Sequence, residues 1–285
     1  MRIKMLFPRG LDKALTLSYD DAKTTDIRLI RLMEKYGVKG TFNINTAPRW
    51  FPPEEKEYPK GEFGRMTRRQ CLEIYKSENV EVAAHGRQHA NLTQLDNDGA
   101  FEELIRDKQE IERMFQVPCR GFAYAGGKYD SRSVKILERC GFAYARTVEG
   151  THRFDLPHDW LRMGTTCHHN AENLPELADA FLADEPNLME PKLFFLWGHA
   201  SEFEKDDKWW VIENFLEKVG NREDVWYATN IEIYDYMTAY DKLIYSYDRD
   251  IVQNPTAMDV WLMVIDGEQR KTFCIPSGAV VSLEM

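Results

Sequence analysis

With 285 residues, 43% of them hydrophobic and 12% aromatic, the chain has enough apolar material for a large core; that excludes a disordered segment and suits one α/β domain with an appendage, or two domains. A formal net charge of -10, with no basic run and no arginine-rich stripe interleaved with aromatics, argues against a nucleic-acid partner. The opening "MRIKMLFPRG" lacks the apolar core and cleavage site of a secretory leader, and no apolar run approaches the roughly 18 residues that span a bilayer, so a cytoplasmic protein with no membrane partner is expected.

In chain order, "LTLSYDD" (15–21) reads as a strand that stops at two adjacent acids, Asp20 and Asp21. A helical period follows over 24–37, with Thr25 or Asp26 as N-cap and Gly37 as the stop. "VKGTFNI" is a strand, 66–78 a helix capped by Thr67, and "NVEVAA" a strand. Residues 96–115 form a long helix with Phe101, Leu104, Ile105, Ile111 and Phe115 expected on its buried face. Strands "RGFAYA", "FAYARTV", "DWLRMGTTC", "KLFFLWGH" and "DVWYAT" then alternate with helices at 131–141, 175–183, 208–219 and 231–240. About seven β-α repeats predict an α/β fold, a distorted (β/α)7-type barrel over residues 1–240. Residues 241–285 switch to short strands and read as a small β appendage packed on the barrel, with a hairpin at "DGEQ".

The connection 45–66, "NTAPRWFPPEEKEYPKGEFGRM", is far longer than the ~2–6 residues usual between such elements. On a β/α barrel it would lie on the functional face, either as a substrate wall carrying Trp50 or as an inert insertion. Five scattered cysteines, Cys71, Cys119, Cys140, Cys167 and Cys274, include no C-x-x-C pair and read as reduced thiols.

His85 and His89 stand four apart just past a strand end, a spacing that in a helical turn puts two imidazoles on one face, within reach of one metal. Two imidazoles and one carboxylate make a three-ligand site with an open position. Of the Asp20–Asp21 pair, one carboxylate would bind the metal while the other acts as base, and the cation would relieve their repulsion. His199 ends another strand and would stand at the same barrel face as a general acid.

These segments resemble the polysaccharide deacetylases of carbohydrate esterase family 4. "SYDDA" (18–22) is similar to the family's first motif, "HGRQH" (85–89) to its second, and "LWGH" (196–199) to its last, in the same order over about residues 10–240. The resemblance implies Asp20 as base, Asp21, His85 and His89 as metal ligands, and His199 as acid. It also implies a divalent metal, zinc above all, although such sites accept Co2+, Mn2+ or Ni2+. The reaction implied is removal of N-acetyl groups from an amino-sugar or oligosaccharide by attack of a metal-bound water. Where the third motif carries an arginine that pairs with the base, "AYAGG" has Ala123, so Arg146 and Arg162 are the candidates to orient Asp20. The fourth motif has no clear counterpart; "HDW" at 158–160 is the nearest string. Trp197 stands where a leucine usually lines the acyl pocket, and Tyr124, Trp50 and Lys128 are further substrate-contact candidates. His168 and His169 are adjacent and are not expected to face one site together; of Trp209 and Trp210, at least one should be used in packing.

Three other readings compete: a sugar-binding pseudoenzyme of the same fold, a hydrolase of a non-sugar linear amide, and a non-haem iron oxygenase, which uses the same donor set. The second Asp and the β/α order speak against the oxygenase.

Overall fold

The computed structural model describes residues 2–54, 64–185 and 190–284. The elements in chain order are β1 (Arg2–Leu6), β2 (Lys13–Asp20), α1 (Asp26–Lys35), β3 (Gly40–Ile44), α2 (Arg68–Ile74), β4 (Val80–Ala84), α3 (Asn97–Phe115), β5 (Gly121–Ala123), α4 (Ser131–Arg139), β6 (Tyr144–Gly150), β7 (Met163–Thr165), β8 (Cys167–His168), α5 (Leu174–Leu182), β9 (Lys192–Gly198), α6 (Ala200–Lys205), α7 (Trp209–Val219), β10 (Trp226–Tyr227), α8 (Asn230–Asp241), β11 (Ile244–Tyr245), β12 (Ile251–Gln253), β13 (Val260–Asp266), β14 (Gln269–Ile275) and β15 (Val280–Ser282).

The central sheet runs β7-β6-β5-β4-β3-β2-β9-β8, and every pair is parallel. Its two ends belong to one short stretch of chain. β7 pairs with β6, β8 pairs with β9, and between them Thr166 donates its N–H to Phe195 O at 2.9 Å. Residues 163–168 thereby close the ring into a seven-membered barrel. The expected strand at "DWLRMGTTC" is shorter than its sequence suggests: a single 3-10 turn occupies Trp160–Arg162 before pairing begins. The last expected strand, β10, is not a barrel stave. It pairs only with Ala14 and Leu15 at the lower half of β2, whose upper half, Leu17–Asp20, pairs with β3.

Strands buried on both faces explain the near-continuous apolar runs in β2 and β9. On α3 Leu104 and Ile111 are buried as expected and Ile105 and Phe115 pack half-buried against the core, while Phe101 is exposed; Ala100, Glu103, Asp107 and Met114 complete the buried stripe. Two buried acids on that stripe cannot be there for packing, and they serve the site described below.

The C-terminal strands form two small antiparallel sheets, β1-β13-β14 and β11-β12-β15. The hairpin expected at "DGEQ" pairs Asp266 with Gln269, with Gly267 at φ 60 in its two-residue turn. β1 was not anticipated: its alternation is only five residues long, and its partner lies at the other end of the sequence, Arg2 opposite Ile265. A second apolar cluster, including Met5, Phe7, Leu193, Ile233, Tyr236 and Leu262, joins this module to the lower end of the barrel, and Tyr236 donates its hydroxyl to Leu6 O at 2.6 Å. All five cysteines are free. Among the described residues no helix is long and apolar enough to cross a membrane.

Candidate active site

The site lies at the C-terminal ends of the parallel strands, where chain direction collects the residues that follow each strand. β2 ends at Asp20, and the backbone then turns through two left-handed residues, Asp21 (φ 86) and Ala22 (φ 50). Such conformations are costly for non-glycine residues and persist only where the surroundings impose them. Here the Asp21 N–H is tied to Asn43 O at 3.0 Å. The turn lets both carboxylates face the barrel mouth, which a continued strand would forbid.

Asp21, His85 and His89 offer one ligand atom each, all within 4.8 Å of one another. The donor set fits a divalent metal on two observations. Asp21 Oδ1 is buried with no hydrogen-bond partner among the described residues, an orphan that a cation would satisfy. His85 donates Nδ1–H to Ala123 O at 2.8 Å, so its Nε2 is the unprotonated nitrogen, and burial holds its pKa below the usual histidine value.

The His85–His89 loop is held from α3 by the two buried acids. Asp107 accepts the His85 N–H at 3.1 Å and both the N–H and hydroxyl of Thr46, and Glu103 accepts the N–H groups of Gln88 and Ala90. Asn45 reaches the carbonyls of His85 and Gly86. Nothing in the motif itself announces these supports; the signal was two acids on an otherwise apolar helical stripe.

Asp20 is buried and ionised. Arg146 Nη2 reaches both its oxygens, at 2.6 and 2.5 Å, and Asn43 donates to Oδ1 at 2.8 Å. Burial alone would raise the carboxyl's pKa; Arg146 first, then His85 and His199, more than offset it and hold the group at about 2. Arg146 itself is 0% exposed, with its guanidinium 4.6 Å from the Trp197 ring. His85 Nε2 and His199 Nε2 lie 3.7 and 3.8 Å from Asp20 Oδ2.

His199 N-caps α6, and its Nδ1–H donates to Glu202 Oε1 at 2.9 Å. The other Glu202 oxygen accepts from His169 Nε2 at 3.0 Å and Asn170 Nδ2 at 2.8 Å, with His168 Nε2 at 3.4 Å. His168 Nδ1 accepts the Asn170 N–H, which leaves its Nε2 as the protonated nitrogen, facing Glu202 at 3.4 Å and not free to ligate a metal. These donors outweigh burial and push the Glu202 carboxyl well below its usual range. In return Glu202 is the main influence that, with Asp20 and Asp21, lifts His199 against its own burial.

A family model described as polysaccharide deacetylase matches residues 9–145. Over that stretch, just under half of the chain, the sequence is similar to the polysaccharide deacetylase family. The match stops one residue short of Arg146 and does not reach His199. No curated protein sequence matches the chain. A Mycobacterium smegmatis protein classed as a polysaccharide deacetylase shares the fold at TM-score 0.56 and 17% identity, covering 84% of this chain and 94% of its own. A Streptococcus pyogenes deacetylase in complex with acetate aligns at TM-score 0.41 and 19% identity over 47% of this chain, which spans only 55% of that one. A carbohydrate esterase family 4 pseudoenzyme from Bacillus anthracis aligns at TM-score 0.48 and 16% identity over 80% of this chain and 67% of its own.

Of the residues singled out in the sequence, the structure brings together Asp20, Asp21, His85, His89, Arg146 and His199. Trp197 joins them, its ring 4.6 Å from that of His168 and 6.0 Å from that of His199. Trp50 lies against His89 at 6.0 Å with Arg65 over its face. Three candidates are elsewhere. Tyr124 is turned into the core and donates its hydroxyl to Leu161 O, so it packs and has no surface left for a substrate. Lys128 is exposed beyond the Ala125–Gly127 turn. Arg162 pairs with Asp159 at 2.5 Å on the surface, and Asp159, from the "HDW" string, caps that turn. Trp209 is buried and Trp210 is 59% exposed. Of the loop 45–66, residues 55–63 lie outside the described residues.

Glu202 was not foreseen, because an acid in a helix's first turn reads as an ordinary dipole partner. Replacing it by glutamine removes a charged hydrogen bond from His199, a loss of about 1.5–3 kcal/mol or roughly 10–100-fold in turnover. The variant's His199 should also lose its proton at lower pH, so the alkaline limb of the pH–rate profile moves downward. An unshifted limb would reduce Glu202 to a structural role.

Proposed function

We propose that the chain is a metal-dependent hydrolase that removes the N-acetyl group from an amino-sugar or oligosaccharide. Asp21, His85 and His89 would hold the divalent metal, with zinc the best match to one carboxylate and two imidazoles. When bound there, the metal would polarise the acetamide carbonyl and make a neighbouring water more acidic. The single observation that carries the reading is the placing of two proton-handling groups on one spot: Asp20, paired with Arg146, and His199 3.8 Å away, whose pKa its hydrogen bond to Glu202 raises.

In this reading Asp20 accepts the proton of the attacking water. Held near 2, it stays ionised through the neutral range, so it is always available. His199, with Nδ1 committed to Glu202, has only Nε2 to offer, and that proton goes to the departing amine. The products are acetate and a free amino-sugar, and the two proton transfers balance. Trp197, in place of a smaller apolar residue, would narrow the acyl pocket to a small group. The barrel carries all of these residues, and we assign the β module at its lower end no part in the chemistry.

The test is acetate release from soluble N-acetylated sugars by full-length protein, before and after chelation. Chelator treatment should abolish release and zinc should restore it, while Asp21→Ala should lower both zinc content and activity. Zinc binding without release from any sugar would favour the binding protein or the non-sugar amide hydrolase.

A further inference from the structure

Four arginines from three separate segments converge on the flank of the His85–His89 loop. Arg68 opens α2, Arg87 lies between the two candidate metal ligands, and Arg106 and Arg113 stand on α3 with Glu110 between them on the same face. With Phe51 on one wall, they line a cavity of about 400 Å³. Among the described residues Glu110 is its one carboxylate, and both its oxygens are already engaged, one by Arg68 at 2.5 Å and the other by Arg113. Arg106 points to Glu102, an exposed pair of the kind that contributes little. Arg87 is anchored only through its backbone, to Glu103 O and from the Ala47 N–H. Its guanidinium has no hydrogen bond or ion pair with any described residue.

In a chain of net charge -10, four guanidiniums facing two carboxylates, Glu110 shared by Arg68 and Arg113 and Glu102 held by Arg106, leave a local excess of positive charge that an anion would offset. Guanidiniums also supply the paired N–H donors that phosphate, sulfate and carboxylate groups take up. The His85–His89 loop joins this cavity to the candidate metal site, because Arg87 lines the cavity from between the two histidines. Ala47 and Arg49 bond the carbonyls of Arg87 and Gln88, and Trp50 lies on His89. We propose that the cavity is an anion subsite, filled by an anionic substituent of the same amino-sugar whose acetamide is cleaved next door. This rests on the deacetylase reading; the anion site itself does not.

The first experiment is calorimetric titration of the full-length protein with inorganic phosphate, after chelation so that no metal competes for it. Saturable binding, weakened by salt and reduced roughly tenfold or more in Arg87→Gln/Arg113→Gln, is expected, with Arg106→Gln as a milder second variant. No binding at roughly 10 mM phosphate, or variants that bind as tightly as the parent, would overturn the site. The second experiment compares acetate release from a phosphorylated and a neutral N-acetylhexosamine. A preference for the phosphorylated sugar that collapses in the double variant identifies the anion as part of the substrate. No such preference, with free phosphate changing turnover of the neutral sugar, would overturn that source and leave a free-anion site. Should no sugar be cleaved, the calorimetry still decides the cavity, so the two readings fail separately.

Discussion

Asp20→Asn should lower acetate release by about 10²–10⁴-fold, the range for loss of a positioned general base. The amide keeps the carboxylate's shape and can still meet Arg146 and Asn43 through its oxygen, but it cannot take a proton. Asp21, His85 and His89 are untouched, so zinc content should equal that of the parent protein, and this separates loss of the base from loss of the metal site. Release within a few-fold of the parent, at equal zinc content, would remove Asp20 from the mechanism.

Arg146→Ala should be the most destabilising substitution at the site. It leaves a buried carboxylate without its counter-charge, a change that costs about 3–5 kcal/mol in comparable buried pairs. In the parent, the folded-state pKa of Asp20, about 2, lies below the ordinary 3.8. The pair therefore adds stability that is fully present above about 3.8 and is lost as pH falls through about 2. Without Arg146 the burial effect dominates, the carboxyl's pKa rises above its ordinary value, and folding then favours the protonated form. The stability gap between variant and parent, measured by urea unfolding, should thus be wide at pH 7 and narrow toward pH 4. Activity should fall as well, with its acid limb displaced to higher pH. A gap independent of pH would show that Arg146 acts by filling space beside Trp197 and not by charge. Arg146→Lys should recover part of the stability, since the charge returns without the planar fork.

Each of these outcomes depends on a contact that spans the fold. Arg146 and Asp20 are 126 residues apart, and nothing local to either marks the other. The sequence narrowed the choice to two arginines because the usual position holds Ala123, but only barrel closure puts β6 opposite β2 across the mouth. Arg162, equally plausible on paper, ends up on a surface turn. Glu202 is hidden for the opposite reason: it is three residues from His199, where an acid is so ordinary that its partners His169 and Asn170, more than thirty residues away, are needed to reveal it. Glu103 and Asp107 are visible in the sequence only as polar interruptions beside the buried Leu104 and Ile111 of a helical stripe.

What the sequence determined alone is what the backbone's own periods encode. Alternation and helical spacing set the order of strands and helices, a parallel β/α order sets the end of the barrel where functional residues gather, and the strand-end positions of Asp20, Asp21, His85, His89 and His199 single them out as candidates. Tertiary structure decided what those groups need from afar. It chose Arg146 as the counter-charge of Asp20 and Glu202 as the partner of His199. It closed the ring through residues 163–168, paired the first strand with the last module, and gathered four arginines around one cavity. Such contacts join segments whose sequence separation is arbitrary, so no periodicity records them; they exist only once burial of the core has brought the strands into one ring.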